Sequence, residues 1–232
     1  DKEISGEARY NLVRNRYLEF KEDDIFVQDN TACFYVYKIV DRDKQEFNGI
    51  VAAASAEDYE KDIIKKHEDT IEYREIIFKE YLKTVGFNAE PVLLTYPDNN
   101  IIAKIIENTQ KHRAEFEFTT TYRDTHYLWK VEDKKTIATI SAEFEKMKTI
   151  YIADGHHRSA SSYLLYKDLK DANPDHHGDE NYNFFMSYLL PESDLRIHEF
   201  NRIVKDLNGL SKEEFLIQLD TIYRIENRGL HP

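Results

Sequence analysis

Residues 148–169, KTIYIADGHHRSASSYLLYKDL, are the part of this 232-residue sequence that best predicts its fold and its chemistry. Residues 148–153 are apolar and β-branched, which predicts a strand. Residues 159–169 carry apolar side chains at helical spacing, which predicts a helix. Between them lie five polar or small residues, Asp154, Gly155, His156, His157 and Arg158, which we interpret as a turn.

This turn has the composition of an anion-binding site. The first N–H groups of a helix lack intrahelical acceptors, and the helix dipole adds positive charge there. Gly155 permits a tight turn, His156 and His157 offer donors, and Arg158 can bind a phosphate with two N–H groups. Asp154 could accept a proton or hold a metal. The alternative is that Asp154 is a helix cap followed by a solvated loop.

The type of metal follows from the ligands present. Adjacent histidines seldom bind one ion together, and the sequence has no H-E-x-x-H motif and only one cysteine, Cys33, so structural zinc is not expected. Magnesium needs only one carboxylate when substrate phosphates supply other ligands. We therefore expect Mg²⁺ at Asp154.

The remaining sequence predicts an α+β (mixed α/β) protein without a regular βαβ alternation. We expect a hairpin of two strands at 33–40 and 47–55, and further strands at 90–96, 115–122, 125–131, 183–190 and 195–204. We expect helices at 6–20, from Ser55, at 71–85, 101–111, 137–147 and 211–222. One catalytic region is expected over residues 1–232, with a division into 1–112 and 113–232 as an option.

Composition narrows the class of protein. The formal net charge of −12 disfavours a nucleic-acid partner, and no apolar run is long enough for a membrane helix. The single Cys33 favours a reducing compartment, which together with the absence of a signal-like segment predicts a cytoplasmic protein. The sequence begins at Asp1 and ends at Pro232 without natural boundaries, which favours a fragment of a longer chain.

Several other polar residues are candidates for the site. Lys65, Lys66, His67 and Glu68 are expected at the end of the helix from Ser55, where basic residues also suit the helix dipole. Glu68 and the nearby Thr70 would place a carboxylate where a general base could act. His126 and Trp129 on a strand are typical of packing or of a binding surface. The loop around His176, His177 and Glu180 is equally a lid or plain surface, and Arg202 follows a predicted strand.

With these residues in view, the chain resembles a widespread family of prokaryotic-type proteins of long-unassigned function (a domain of unknown function). The resemblance covers nearly the whole chain. It is carried by ADGHHR (153–158), FYVYKI (34–39), IKKHE (64–68), NAEPV (88–92), HYLW (126–129), GDENYNFF (178–185) and NRIVKDLNG (201–209).

The turn also resembles the phosphate loop of the ParB/sulfiredoxin superfamily, in which free-serine kinases carry a similar D-G-x-H-R turn and a separate glutamate. This resemblance implies a ParB/sulfiredoxin-like core and a cytoplasmic phosphotransferase. That enzyme would phosphorylate the hydroxyl of free L-serine with Mg²⁺ and either pyrophosphate, ATP or ADP. The alternative is a nucleotide-binding regulatory module without catalysis. A sulfiredoxin-like oxidoreductase is disfavoured because His156 stands where that chemistry needs cysteine.

The serine-kinase resemblance assigns a role to each candidate residue. Glu68 is the expected base, Asp154 the metal or hydroxyl partner, and His157 the third catalytic residue. The expected phosphate-binding residues are Gly155, His156, His157, Arg158, Lys65, Lys66 and His67. The expected substrate-binding residues are Thr70, His126, Trp129 and Arg202.

Overall fold

One mixed β-sheet with helices on it forms the main part of the protein. The computed structural model describes residues 6–198 and 203–226. In that part of the chain the strands are Phe34–Val40 (β1), Glu46–Ser55 (β2), Ile64–Lys65 (β3), Val92–Tyr96 (β4), Phe116–Thr119 (β5), Thr125–Val131 (β6), Ile150–Asp154 (β7) and Phe184–Pro191 (β8). The helices are Gly6–Glu22 (α1), Ala56–Glu60 (α2), Glu72–Val85 (α3), Asn100–Gln110 (α4), Lys134–Glu145 (α5), His156–Ala172 (α6) and Lys212–Asp220 (α7).

The sheet has eight strands in the order β3-β7-β4-β8-β2-β1-β6-β5. Only β3 with β7 and β4 with β8 run parallel, and the other neighbours are antiparallel. The expected α+β class is therefore confirmed. Because β3 and β7 end at the same edge, the segments that follow them emerge side by side.

The core lies where the central strands meet the covering helices. Val36, Ile50, Leu94 and Ile140 are completely buried, on three different strands and on α5. Helix α6 contributes a run of small side chains to its buried face, among them Ser159 with none of its surface exposed. Small side chains let a helix approach its neighbours closely. This close packing holds α6, and with it the turn that precedes it, in place.

The structure corrects one predicted helix and one predicted strand. The helix from Ser55 ends at Glu60, so Lys65 lies in β3 and the segment up to Glu68 is not a helix terminus. The chain turns there through Asp62, whose φ of 57° is left-handed, and the N–H of Ile63 bonds back to the carbonyl of Asp58. The strand predicted at 195–204 is also absent from residues 195–198 and 203–204, and residues 199–202 lie outside the described part.

Contacts within the chain divide it into two compact units, Asp1–Leu195 and Arg196–Pro232. The first unit contains the whole sheet, whose strands come from both sides of residue 112. The second contains α7, which begins with a capping box between Ser211 and Glu214. Among the described helices, none is both long and apolar enough to cross a membrane.

The loop before β8 is held by one carboxylate. Glu180 accepts hydrogen bonds from the backbone N–H groups of His177 at 2.8 Å and Gly178 at 2.9 Å, and from the side chain of Asn183 at 2.9 Å. Bonding of the charged form by His177 and its neighbours lowers the pKa of Glu180 to about 2. The sequence did not decide whether this loop is a lid or plain surface. In the structure, the hydrogen bonds to Glu180 hold the loop in one conformation.

We predict that Glu180→Gln lowers the free energy of unfolding, and that the loss depends on pH. The pKa of Glu180 is lower in the folded chain than its ordinary 4.5. Its contribution is therefore complete above that value and disappears as the pH falls toward about 2. Urea unfolding of both proteins at several pH values between 7 and 3.5 measures this. The exposed Glu145→Gln is the control, and a difference that stays constant with pH would contradict the account.

Candidate active site

The turn between β7 and α6 depends on one glycine. Gly155 is the residue before the helix and has a φ of 97°, a left-handed conformation that glycine adopts without strain. A Cβ at this position would also lie 3.2 Å from Cζ of Arg158. The helix begins at His156, so it starts earlier than the sequence predicted and includes His156, His157 and Arg158 in its first turn.

The first turn of α6 presents free backbone donors. The first helical bond runs from the N–H of Ser159 to the carbonyl of Gly155 at 3.0 Å. The N–H groups of His156, His157 and Arg158 come before it, and no side chain of the described residues caps them. These three donors and the helix dipole make the turn a place for an anion.

The parallel pairing of β3 with β7 brings the second candidate segment to this turn. Ile64 pairs with Ile150 and Lys65 with Tyr151, so both strands end at one edge. His67 and Glu68 then contact His156 directly, 89 and 88 positions away along the chain.

His156 is the buried centre of the site, with 4% of its surface exposed. The backbone N–H of His67 points to its Nε2 at 3.5 Å, and its Nδ1 lies 3.1 Å from Oε1 of Glu68. Because Nε2 faces a donor, the neutral ring carries its hydrogen on Nδ1, on the side of the Glu68 carboxylate. The rings of His67 and His156 pack edge to face, with their centroids 4.4 Å apart.

Burial controls the charge of this histidine. Desolvation is the largest cause that lowers the pKa of His156, and the nearby His67 is the second. The carboxylates of Glu68 and Asp154 oppose this shift only in part. His156 is therefore neutral at pH 7. It lies next to the Glu68 carboxylate, with Nδ1 3.1 Å from Oε1, and adds no positive charge to the turn.

Arg158 is held by acceptors at the start of β4. Its Nη2 lies 2.7 Å from Oδ2 of Asp154, and its Nη1 donates to the carbonyl of Pro91 and lies 3.6 Å from Oε2 of Glu90. The sequence reasoning did not identify Glu90 or Pro91 as part of the site. The sequence feature that could have identified them is their position directly before β4. This strand runs antiparallel to β7, with Leu93 opposite Asp154.

His157 has an unusual environment. Its Nδ1 is buried and makes no hydrogen bond to any atom that the structure describes. An unsatisfied buried polar atom costs about 1–3 kcal/mol, so the ring is held by packing at some cost. Such a cost is typical of functional positions.

A cavity of about 270 Å³ adjoins Arg158. Phe78 and Leu82 of α3 give it an apolar wall, and Asn88 and Ser162 add polar groups. The guanidinium of Arg158 thus stands between the turn and a space large enough for a small molecule.

The lysines and Thr70 have other partners. Nζ of Lys65 lies 3.8 Å from Asp62, and Nζ of Lys66 lies 5.1 Å from the ring centre of Tyr59. The hydroxyl of Thr70 donates to Glu75 at the start of α3. Strand β3 brings both lysines to the correct edge, but no contact joins either to His156.

The structure does not bring His126 and Trp129 to the turn. Both lie on β6, and four strands separate β6 from β7, which is a distance of about 24 Å at ordinary strand spacing. Nδ1 of His126 lies 2.6 Å from the hydroxyl of Tyr37, and the indole of Trp129 donates to the carbonyl of His112 at 2.9 Å. Arg202 lies outside the described residues.

The metal expectation rests on one carboxylate. No cluster of three or more histidine, cysteine or acidic side chains that could hold a metal occurs in residues 6–198 and 203–226. Asp154 has 70% of its side chain exposed and only one of its oxygens bonded. This fits a magnesium ion that takes its remaining ligands from water and substrate phosphate, but not a metal held by protein alone.

Comparison with known proteins gives one match. The model of a family described as "Protein of unknown function (DUF1015)" matches residues 1–232. No curated protein and no solved structure matches at a significant level. The resemblance to a family of unassigned function is confirmed by this match.

We predict that His156 titrates below its ordinary pKa of 6.5. Glu68→Gln should lower the pKa further, because the carboxylate favours the protonated ring. Ring proton shifts in NMR spectra recorded across pH 4–8 measure both values. Asp171→Asn is a suitable control, about 22 Å farther along α6. A pKa at or above 6.5, or no change in Glu68→Gln, would contradict the described contacts.

Proposed function

This chain belongs to the DUF1015 family, and we propose that it is a phosphotransferase acting on the hydroxyl of free L-serine. The donor is pyrophosphate or a nucleotide, and the product is O-phosphoserine. The observation that carries this proposal is the uncapped first turn of α6 with the Glu68 carboxylate beside it, 3.1 Å from the neutral His156. The choice of serine rests on the resemblance of the D-G-x-H-R turn to that of free-serine kinases.

The first turn of α6 suits the transferring phosphoryl group. Phosphoryl transfer needs positioning and charge neutralisation more than covalent chemistry. The N–H groups of His156, His157 and Arg158 supply fixed donors, and the guanidinium of Arg158 is close by. Donors that are oriented before the reaction stabilise developing negative charge without reorganisation.

Glu68 has the position of a general base. One of its oxygens lies 3.1 Å from Nδ1 of His156, while 60% of its side chain is exposed to solvent. The hydroxyl oxygen of serine would attack the terminal phosphorus of the donor as the hydroxyl proton passes to Glu68. The bond between that phosphorus and the bridging oxygen breaks, and the leaving group is orthophosphate from pyrophosphate, ADP from ATP or AMP from ADP.

The charge balance of the site makes the donor dependent on magnesium. Arg158 is already paired with Asp154 and Glu90, and His156 is neutral, so the protein offers little net positive charge. Asp154 would hold Mg²⁺, which supplies neutralisation of the donor's phosphate oxygens when bound. Three further phosphate ligands are proposed, Lys65, Lys66 and His67. Each must give up the contact described above before it can bind phosphate.

We also propose that β7, the glycine turn and α6 form a ParB/sulfiredoxin-like core. The left-handed Gly155 and a helix that begins immediately after it support this assignment. In such a core the phosphates lie against the helix N-terminus.

A nucleotide-binding module without catalysis is the second candidate. One observation favours it: the guanidinium of Arg158 is paired with Asp154 and Glu90, so it is not free to bind a phosphoryl group without rearrangement. This candidate predicts saturable nucleotide binding and no product.

We predict that the protein converts L-serine to O-phosphoserine with Mg²⁺ and at least one of pyrophosphate, ATP and ADP. Phosphorus NMR detects the product and identifies the donor. If the folded protein, shown to bind a donor, yields no product with any of the three, the binding-module candidate replaces the enzyme.

The same assay tests the individual residues. Glu68→Gln should lower kcat about 10²–10⁴-fold, which is the usual contribution of a general base. His157→Ala should lower turnover about 10²-fold while leaving the folded structure intact. Asp171→Asn is the matched control and should keep full activity. Near-normal kcat in Glu68→Gln would remove this residue from the mechanism.

A further inference from the structure

A second cavity lies at the edge of the sheet opposite to the turn. It has a volume of about 410 Å³ and is formed where the parallel strands β4 and β8 end, at Tyr96 and Pro191. Because β4 is antiparallel to β7, its five-residue length, about 16 Å, separates this cavity from Asp154. The cavity is therefore distinct from the proposed phosphotransfer site.

The walls of this cavity carry negative charge. Asp98, Glu107 and Asp194 line it, and among its described lining residues there is no lysine, arginine or histidine. Glu107 is paired with Lys111 at 3.2 Å. Asp98 accepts the backbone N–H of Ser193 and Asp194 accepts that of Asn48, both at 3.1 Å, and neither carboxylate has a cationic partner among the described residues.

Tyr96 adds a buried polar group to the same space. Only 2% of its surface is exposed, it lines the cavity, and its hydroxyl makes no hydrogen bond to the described residues. Burial, with contributions from the Asp194 and Asp98 carboxylates, raises the pKa of Tyr96. Tyr96, Asp98 and Asp194 line the same cavity, and the hydroxyl oxygen is left for a ligand.

The rest of the cavity is built to keep its shape. The side chain of Gln110 donates to that of Asn48 at 2.7 Å across one wall. Ala103, Ile106 and Pro191 supply apolar surface. Asn99 caps α4 by accepting from the N–H groups of residues 101 and 102, so these two donors are not available to an anion.

We propose that this cavity binds a small organic cation with a primary ammonium group on a short aliphatic chain. An ammonium has three N–H donors, and Asp98, Asp194 and Tyr96 each offer an oxygen acceptor. The apolar wall covers the carbon chain. A bare metal ion is a poorer match, because these residues form no cluster of metal ligands in the described part of the chain.

Titration calorimetry of the full chain with 1,4-diaminobutane tests this proposal. We expect saturable binding that weakens as salt rises, since the attraction is between charges. 1,4-Butanediol and butanedioate have the same chain length without positive charge, and they should bind at least tenfold more weakly. Equal binding of the diol, or no saturable binding of the diamine, would overturn the proposal.

Variants locate the binding to this cavity. Asp98→Asn with Asp194→Asn keeps an acceptor for each backbone N–H and should weaken diamine binding at least tenfold. Tyr96→Phe removes only the hydroxyl and should weaken binding severalfold, which gives a readout if the double variant does not fold. Asp171→Asn controls for non-specific attraction to an acidic protein. Unchanged affinity in folded Asp98→Asn/Asp194→Asn protein, or in Tyr96→Phe if the double variant does not fold, would overturn the assignment.

Discussion

The two-residue parallel pairing of β3 with β7 is the constraint on which the proposed active site depends. It aligns Ile64 with Ile150, so the segments after both strands emerge at one edge of the sheet. Without that alignment His156 would have neither the N–H of His67 nor the carboxylate of Glu68. A buried histidine without these partners would leave Nε2 without its donor, which is costly. The pairing therefore fixes both the packing of α6 and the position of the proposed base.

The two edges of the sheet differ in electrostatics. At the edge formed by Asp154 and α6, the guanidinium of Arg158 is already paired with Asp154 and Glu90, and His156 next to Glu68 is neutral. Binding of phosphate there must use backbone donors and a metal ion. At the other edge, Asp98 and Asp194 have no balancing cation among the described residues, and their chemistry favours an ammonium group. The distribution of paired and unpaired charge thus suits the two edges to ligands of opposite sign.

Much of the fold was accessible from the sequence, because its signals are local. The hydrophobic period predicted the hairpin, α3 to α5 and the strand before the turn, and the DGHHR turn indicated a candidate site. The failures have local and non-local causes. The predicted helix from Ser55 was too long, because its end depends on the left-handed Asp62. The predicted start of α6 was too late, because the polar first turn of this helix has no apolar period. Glu90, and the distance of His126 from the site, depend on strand order, which periodicity does not encode.

The central claim is that phosphate binds to the first turn of α6. The most direct test is the change in backbone amide ¹H–¹⁵N resonances when pyrophosphate and Mg²⁺ are added to the labelled protein. The account predicts the largest changes at His156, His157 and Arg158, saturating together, with only small changes at Tyr96 and Asp194 on the opposite edge. Saturable changes centred elsewhere, with these three amides unmoved, would contradict it.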